Sequence, residues 1–367
     1  MDPIVIVGGG IVGTSVAYHL RSIDRPIHLF EKETLGSGTT AGSVAQFTYH
    51  QADPSKLDHE LRRRSREWYD RHIESGEFSF EAIGTLHVAG TDAEREARRD
   101  LGASLAEHGA ETEWLEPEDL PDYDVDGEEL VGGLLLPTDG VLDPSEIVQY
   151  QAEAVREAGH TIETGVEVTD VRTDDGEVTG VVTDSGTVDA DVVINAAGPW
   201  APVLDDMVGV ETPIRHTHGP ILVLEADQPL DLPLTFFEDE VYLRQEGRTR
   251  ALAGQFVTAY ENADRLDPNA ARSPPESFHL DIAEVVEKYV TVDDAVEVVN
   301  EWEALRTVTP DGQPIVDETA VDDYVVATGM SGFGITTAPA VGELTAELLT
   351  GEEKSPLLEH LSLDRFE

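Results

Sequence analysis

The chain opens on an unbroken apolar run, Ile4-Val5-Ile6-Val7. A run without polar alternation predicts a strand covered on both faces, as in a parallel sheet. Glycines end it. Apolar positions then recur at helical spacing from about residue 11 to residue 22, and a second apolar run follows at 27–30. Strand, helix and strand within about 30 residues make one βαβ unit.

Further along, 54–76 reads as a charged helix, 85–89 as a strand and 91–109 as a second helix. A third helix is predicted over 143–158. Pro144 stands in its first turn and Gly159 just past its end, which is favourable punctuation at both termini. From 162 to 195 the pattern becomes β. Segments 166–173, 177–183 and 187–189 are separated by Asp174-Asp175-Gly176 and Asp184-Ser185-Gly186, whose residues accept the positive φ of hairpin turns. A buried strand at 191–195 follows. Strands are expected at 221–225, 241–244 and 252–256, and a helix at 281–291. The polar, proline-bearing stretch 261–277 reads as a surface loop. The last strand is 324–328, followed by a glycine-rich turn and a helix over 336–350.

The two ends resemble parts of one α/β layer, and the β-rich middle resembles an insertion. The expectation is a Rossmann-like, discontinuous cofactor domain made of 1–80, 140–212 and 306–367. The inserted domain, 81–139 and 213–305, is expected to be a mainly antiparallel sheet with helices that binds substrate. With 367 residues the chain is long enough for two packed lobes.

Charge changes the picture. Lys plus Arg number 24 against 75 Asp plus Glu, a formal net charge of −51. The acids are spread along the whole chain. A diffuse acidic surface suits high salt, where self-repulsion is screened, and points to the cytoplasm of a salt-accumulating halophile. The same charge excludes a nucleic-acid partner, which needs a basic footprint. There is no Cys, which excludes disulfides, thiolate metal sites and a cysteinyl link to a cofactor. The N-terminus has no basic region or cleavage site, and no apolar run reaches the ~18 residues of a membrane span.

Gly8-Gly9-Gly10-Ile11-Val12-Gly13 contains G-x-G-x-x-G between the first strand and the first helix. Gly8 permits a tight turn, Gly10 lets a pyrophosphate approach the backbone, and Gly13 lets helix and strand pack closely. Ile11 and Val12 open the helix, whose free N–H groups and positive dipole end face the phosphates. Glu31 ends the second strand 18 residues after Gly13, with Lys32 beside it. A carboxylate there accepts hydrogen bonds from a ribose diol and repels a 2′-phosphate. The ligand is therefore FAD or NAD, not NADP.

Five segments occur in an order that resembles the D-amino-acid oxidase-like flavoenzymes, the family of glycine oxidase, sarcosine oxidase and many amine dehydrogenases. They are residues 4–20 with Glu31; Gly36-Ser37-Gly38-Thr39-Thr40-Ala41-Gly42-Ser43; Asp139-Gly140-Val141-Leu142-Asp143-Pro144; residues 192–200, ending Asn195-Ala196-Ala197-Gly198-Pro199-Trp200; and a C-terminal pair. That pair is residues 302–314, Trp302-Glu303-Ala304-Leu305-Arg306 through Pro314, with the loop Gly329-Met330-Ser331-Gly332-Phe333-Gly334-Ile335-Thr336. The resemblance implies non-covalent FAD. It implies that Thr39, Thr40, Ser43, Val44, Ala45 and Gln46 run past the pyrophosphate and flavin ring, and that the Val166 backbone meets adenine. Ala197, Gly198 and Trp200 belong to its fourth segment. Met330, Gly332, Phe333, Gly334, Ile335 and Thr336 would present amides to the flavin.

The implied reaction is oxidation of a C–N bond in a small amine or amino acid, with hydride passing to the flavin. Arg306 matches the family's carboxylate-binding arginine, whose planar fork suits bidentate pairing. Tyr242 matches a pocket tyrosine of glycine oxidase. Gly42 stands where Arg is frequent, Thr307 replaces the usual Pro, and Gly332 stands where some relatives carry Arg. No lysine occurs between 57 and 287, where the sarcosine-oxidase branch uses one to activate O2. Electrons therefore pass to O2 or to a separate acceptor. His50, His216 and His218 are candidates for the pocket, with strand positions as the plainer reading of His216-x-His218; no metal site is expected. Two rival readings are an NAD-linked dehydrogenase and a non-catalytic flavin-binding subunit.

Overall fold

The computed structural model describes residues 2–48, 56–237, 240–292, 296–351 and 354–366. Its first layer is a six-stranded sheet in the order Ile315–Glu318, Tyr324–Thr328, Val192–Asn195, Ile4–Val7, Ile27–Glu31, Thr161–Thr164. All neighbours are parallel except the first pair. The strands come from three separated stretches of chain, so the two ends do close one layer.

Burial on both faces explains the unbroken apolar run. Ile4 and Ile6 join Leu29, Ile194, Val16 and Ala338 on the helical side. Val5 and Val7 join Phe30, Val193 and Val326 on the other side, where the hairpin strands Val168–Asp174, Glu177–Thr183 and Gly186–Asp189 cover them. Helix Ile11–Leu20 lies against Gly334–Thr350, with Gly342 pressed so closely on Ser15 that an added Cβ would lie 2.5 Å from its Oγ. Helix Pro144–Glu157 starts as its punctuation predicts: Asp143 caps it by accepting from the Ser145 and Glu146 amides.

Helix Gly334–Thr350 contains Pro339. Proline has no N–H, so the carbonyl of Ile335, four residues earlier, loses its helical partner. Helix Lys56–Ser75 fills the gap. The buried Tyr69 hydroxyl donates to Ile335 O at 2.5 Å, and Ser65 Oγ accepts from the Ala340 amide at 3.2 Å.

The second layer is an eight-stranded sheet, antiparallel except where Leu234–Phe236 runs parallel to Thr85–Ala89. Alternation along Val241–Glu246 sorts its faces. Val241 and Leu243 meet helix Glu276–Tyr289 through Phe278 and Ile282. Tyr242 points the other way, into a cluster with Val44 and Ile221. The expected helix at 281–291 begins five residues earlier, at Glu276, and the strand expected at 221–225 extends back to Arg215 because it pairs along its whole length with Glu297–Val308. That partner carries Arg306, so the strand runs past the boundary expected at 305/306 and stays in the second sheet. No helix among the described residues is long and apolar enough to cross a membrane.

Candidate active site

The glycine turn is built by close approach. Gly8 has φ +109°, and a Cβ there would lie 2.5 Å from Ala196 O. A Cβ on Gly13 would lie 1.9 Å from Gly8 O. Gly13 is thus a packing residue behind the turn and does not line the cleft. Gly10 precedes the helix without a side-chain cap of its own. Thr40 supplies one across the chain, its Oγ1 accepting from Ile11 N at 3.1 Å. The Glu31 carboxylate is fixed by two amides: Oε2 accepts from Gly9 N and Oε1 from Glu33 N, both at 2.8 Å.

These groups converge on a cleft of about 390 Å³ at the carboxyl ends of the first-layer strands. This is where ligands sit in open α/β sheets, at the point where strand order reverses. Gly8, Gly10, Ile11, Val12, Glu31, Lys32, Thr39, Thr40, Ser43, Val166, Ala197, Gly198 and Trp200 all line it, with Met330, Gly332, Gly334 and Ile335 from the C-terminal loop. A smaller cavity of about 70 Å³ adjoins it, lined by Val44, Gln46, Phe333 and Thr336 together with Tyr242 and Phe256. Thr39, Ser43, Arg306, Gly332 and Ile335 line both.

Arg306 is therefore where the two cavities meet. It is 9% exposed. Its Nη1 donates to His218 O at 2.6 Å and its Nη2 to Gln255 O at 2.7 Å. Burial lowers its hold on the proton, and the neighbouring Tyr242 and Glu240 oppose that. Two backbone carbonyls and the Tyr242 hydroxyl hold the guanidinium, whose five N–H groups exceed these partners. Tyr242 is 3% exposed, and burial pushes its phenol upward while Arg306 pulls it down. Its hydroxyl lies over Gly254, where an added Cβ would come within 2.3 Å.

The C-terminal loop is shaped by neighbours rather than by its own sequence. Ser331 has φ +46° and donates its amide to Thr307 O at 2.8 Å. Gly332 has φ +88°; a Cβ there would lie 3.0 Å from the Phe256 ring and 3.4 Å from Arg306 Cδ. Gly42 is equally confined, with Ala304 Cβ 2.7 Å from its would-be Cβ, and its carbonyl accepts from Trp302 Nε1 at 3.1 Å. A larger residue fits neither position in this conformation.

Some expected site residues stand elsewhere. Ala45 lines neither cavity. It sits at φ +61°, with its amide donated to Ser43 Oγ, in the turn from which Val44 and Gln46 line the small cavity. His216 is buried behind Pro199: one ring nitrogen meets Pro199 O at 3.0 Å and the other accepts from Leu266 N at 3.1 Å. Neither nitrogen is left for a metal or a substrate. His218 is exposed and pairs with Glu303 at 2.5 Å, contributing only its carbonyl to Arg306. His50 lies outside the described residues. The stretch 261–277 is the mostly exposed loop expected, up to the helix that starts at Glu276. It brings Asn269 to the mouth of the cleft. Sequence reading missed Asn269 and Phe256, and no motif marks either.

Comparison with known proteins agrees with this geometry. The chain is 26% identical to the bifunctional protein ThiO/ThiG of Synechocystis sp., over 99% of this chain and 54% of that protein, so it spans about half of that relative's length. It is 24% identical to a glycine oxidase of Bacillus licheniformis, over 99% of this chain and 97% of that one. Among solved structures, L-proline dehydrogenase from P. horikoshii superposes with a TM-score of 0.85 at 25% identity, covering 100% of this chain and 97% of that one. The sequence profile of one family matches residues 3–348, and the chain belongs to it: the FAD dependent oxidoreductases of the DAO type.

Proposed function

We propose that this chain oxidises the C–N bond of a small amine or amino acid bearing a carboxylate, of the size of glycine, sarcosine, proline or a small D-amino acid. The observation that carries the reading is Arg306, a buried, pre-aimed guanidinium shared by the long cleft and the small apolar cavity.

The residues present fit FAD. An added Cβ at Gly10 would meet only Thr40 Oγ1, at 3.2 Å, so the space over the helix N-terminus is open to a phosphate, and Glu31 is held by two amides on the lining of the same cleft. We assign the phosphates to that N-terminus with Thr39, Thr40 and Ser43, the ribose to Glu31, and adenine to the backbone at Val166. Val44, Gln46 and the loop 330–336 would hold the flavin, and the amides opening helix Gly334–Thr350 would favour negative charge beside them. FAD, when bound, supplies the hydride acceptor. Arg306 takes the substrate carboxylate as a bidentate partner, Tyr242 closes on it, and the apolar walls exclude water. The first layer, with 1–80, 140–212 and 306–367, holds the cofactor. The second, with 81–139 and 213–305, covers the substrate, and its edge strand Glu297–Val308 carries Arg306 to the junction of the two cavities.

The matched glycine oxidase and L-proline dehydrogenase act, by name, on small carboxylate-bearing substrates, which supports this class. The net charge of −51 supports a home in a salt-rich cytoplasm. O2 or a separate acceptor reoxidises the flavin, and the rate at which air reoxidises reduced enzyme separates the two.

The test is anaerobic titration with glycine, sarcosine, proline and D-amino acids, following flavin absorbance near about 450 nm. One of these substrates is expected to bleach the wild type. In Arg306→Ala its half-saturation should rise roughly 30- to 150-fold, the equivalent of a lost charge-assisted bidentate pair. Unchanged affinity in Arg306→Ala, or no bleaching by any amine or amino acid, would overturn the reading.

A further inference from the structure

Three side chains meet across the mouth of the long cleft, and each comes from a different part of the chain. Trp200 Nε1 donates to Asn269 Oδ1 at 2.8 Å. Lys32 Nζ donates to the same oxygen at 3.3 Å. The Lys32 ammonium also sits 3.7 Å over the Trp200 ring, within the range of a cation–π contact. Lys32 follows Glu31 at the end of the second strand, while Trp200 follows the turn at 196–199 and reaches Gly38 on the opposite wall. All three residues line the cleft. One acceptor thus ties its two banks together.

Asn269 is exposed, yet its segment is held in place. Its amide donates to Asp267 Oδ1 at 2.9 Å, and Arg272 ties the turn through Asp267 O and Ala270 O. Arg265 reaches back to Pro202 O at 2.9 Å and to Asp206 at 2.5 Å. His216 and Asp264 exchange backbone hydrogen bonds at 2.7 and 3.1 Å. The segment joins strand Arg250–Gln255 of the second sheet to helix Glu276–Tyr289, so the second layer delivers the acceptor to a site built on the first. Pre-organisation of this kind lowers the ordering cost of holding a ligand.

We propose that Asn269 is the catch of a clamp over bound FAD: Lys32 and Trp200 close above the middle of the dinucleotide, Asn269 fastens them, and FAD leaves only when the catch opens. The proposal rests on FAD occupying this cleft, but it is read out through flavin retention and is independent of which substrate is oxidised.

The experiment measures FAD release from holoenzyme on dilution, followed by the rise of free-flavin fluorescence. Asn269→Ala removes the shared acceptor, and release should accelerate roughly 5- to 30-fold, as expected for one to two hydrogen bonds of ordinary net strength. Asn269→Asp keeps an acceptor and adds charge opposite Lys32, so release should return to the wild-type rate or below. Trp200→Phe keeps the ring and removes the N–H; combined with Asn269→Ala it should add little, because both break the same bond. Wild-type release from Asn269→Ala, equal acceleration by Asn269→Ala and Asn269→Asp, or full additivity with Trp200→Phe would each overturn the clamp. Glu31→Ala is the control for the cofactor's position. If it holds FAD as tightly as the wild type, the placement of FAD in the cleft fails and the clamp fails with it.

Discussion

Pro339 and Tyr69 form a pair whose coupling can be measured. Proline at 339 leaves the Ile335 carbonyl without its helical donor, and the Tyr69 hydroxyl donates to it at 2.5 Å from the neighbouring helix. Tyr69 is fully buried, and burial holds its phenol protonated well above the usual range, so the donor is present at every working pH. Tyr69→Phe keeps the ring and strands a buried carbonyl. Such a group costs about 1–3 kcal/mol. Pro339→Ala restores a backbone N–H to the same carbonyl. In that background Tyr69→Phe should cost less, with a coupling of about 1 kcal/mol or more, inside the range seen for residues sharing one partner. The assay is denaturant unfolding of the four proteins of the cycle, each loaded with FAD, with the flavin absorbance spectrum recorded in parallel. Ile335 lines both cavities, so Tyr69→Phe should also perturb that spectrum. Additivity within about 0.5 kcal/mol would show that the hydroxyl does not replace the missing helical bond.

Two further outcomes follow from the geometry. His19 is held down to about 4 by burial first, then by Arg21 and Arg71. A depressed histidine stabilises the fold above its unfolded value and loses that contribution as the pH falls through about 6.5 toward the folded value. Relative to His19→Gln, the wild type should therefore lose roughly 2 kcal/mol between pH 7 and pH 5; parallel stability–pH curves for the two proteins would refute this. Gly332→Ala places a Cβ at φ +88°, 3.0 Å from the Phe256 ring and 3.4 Å from Arg306 Cδ. It should destabilise by about 1 kcal/mol and weaken substrate binding by more than that loss of stability explains. Substrate titration of the variant decides it, and a half-saturation equal to the wild type's would refute the reading.

The two layers were legible because the signals that specify them are local. Ile4–Val7 is apolar throughout because both of its faces are covered, and a reader of the sequence needs only that run, the glycines and Glu31 to place the cleft. Pro144, Asp143 and Gly159 bound their helix through contacts within a few residues. Thr40 already departs from this, since its value as a cap depends on meeting Ile11 from 29 residues away.

By itself, then, the sequence determined the glycine turn and the alternation of elements, and its resemblance to a family marked Arg306, because propensity, period and motif are properties of short segments. Only the tertiary structure decided what Arg306 faces, that Ala45 turns away while Val44 and Gln46 face the small cavity, that His216 is consumed by Pro199 and Leu266, and that Asn269 reaches Lys32 across 237 residues. Those outcomes depend on which distant side chains share a few ångströms. That is fixed by which strands and loops the fold brings side by side, and no periodicity along one segment encodes it.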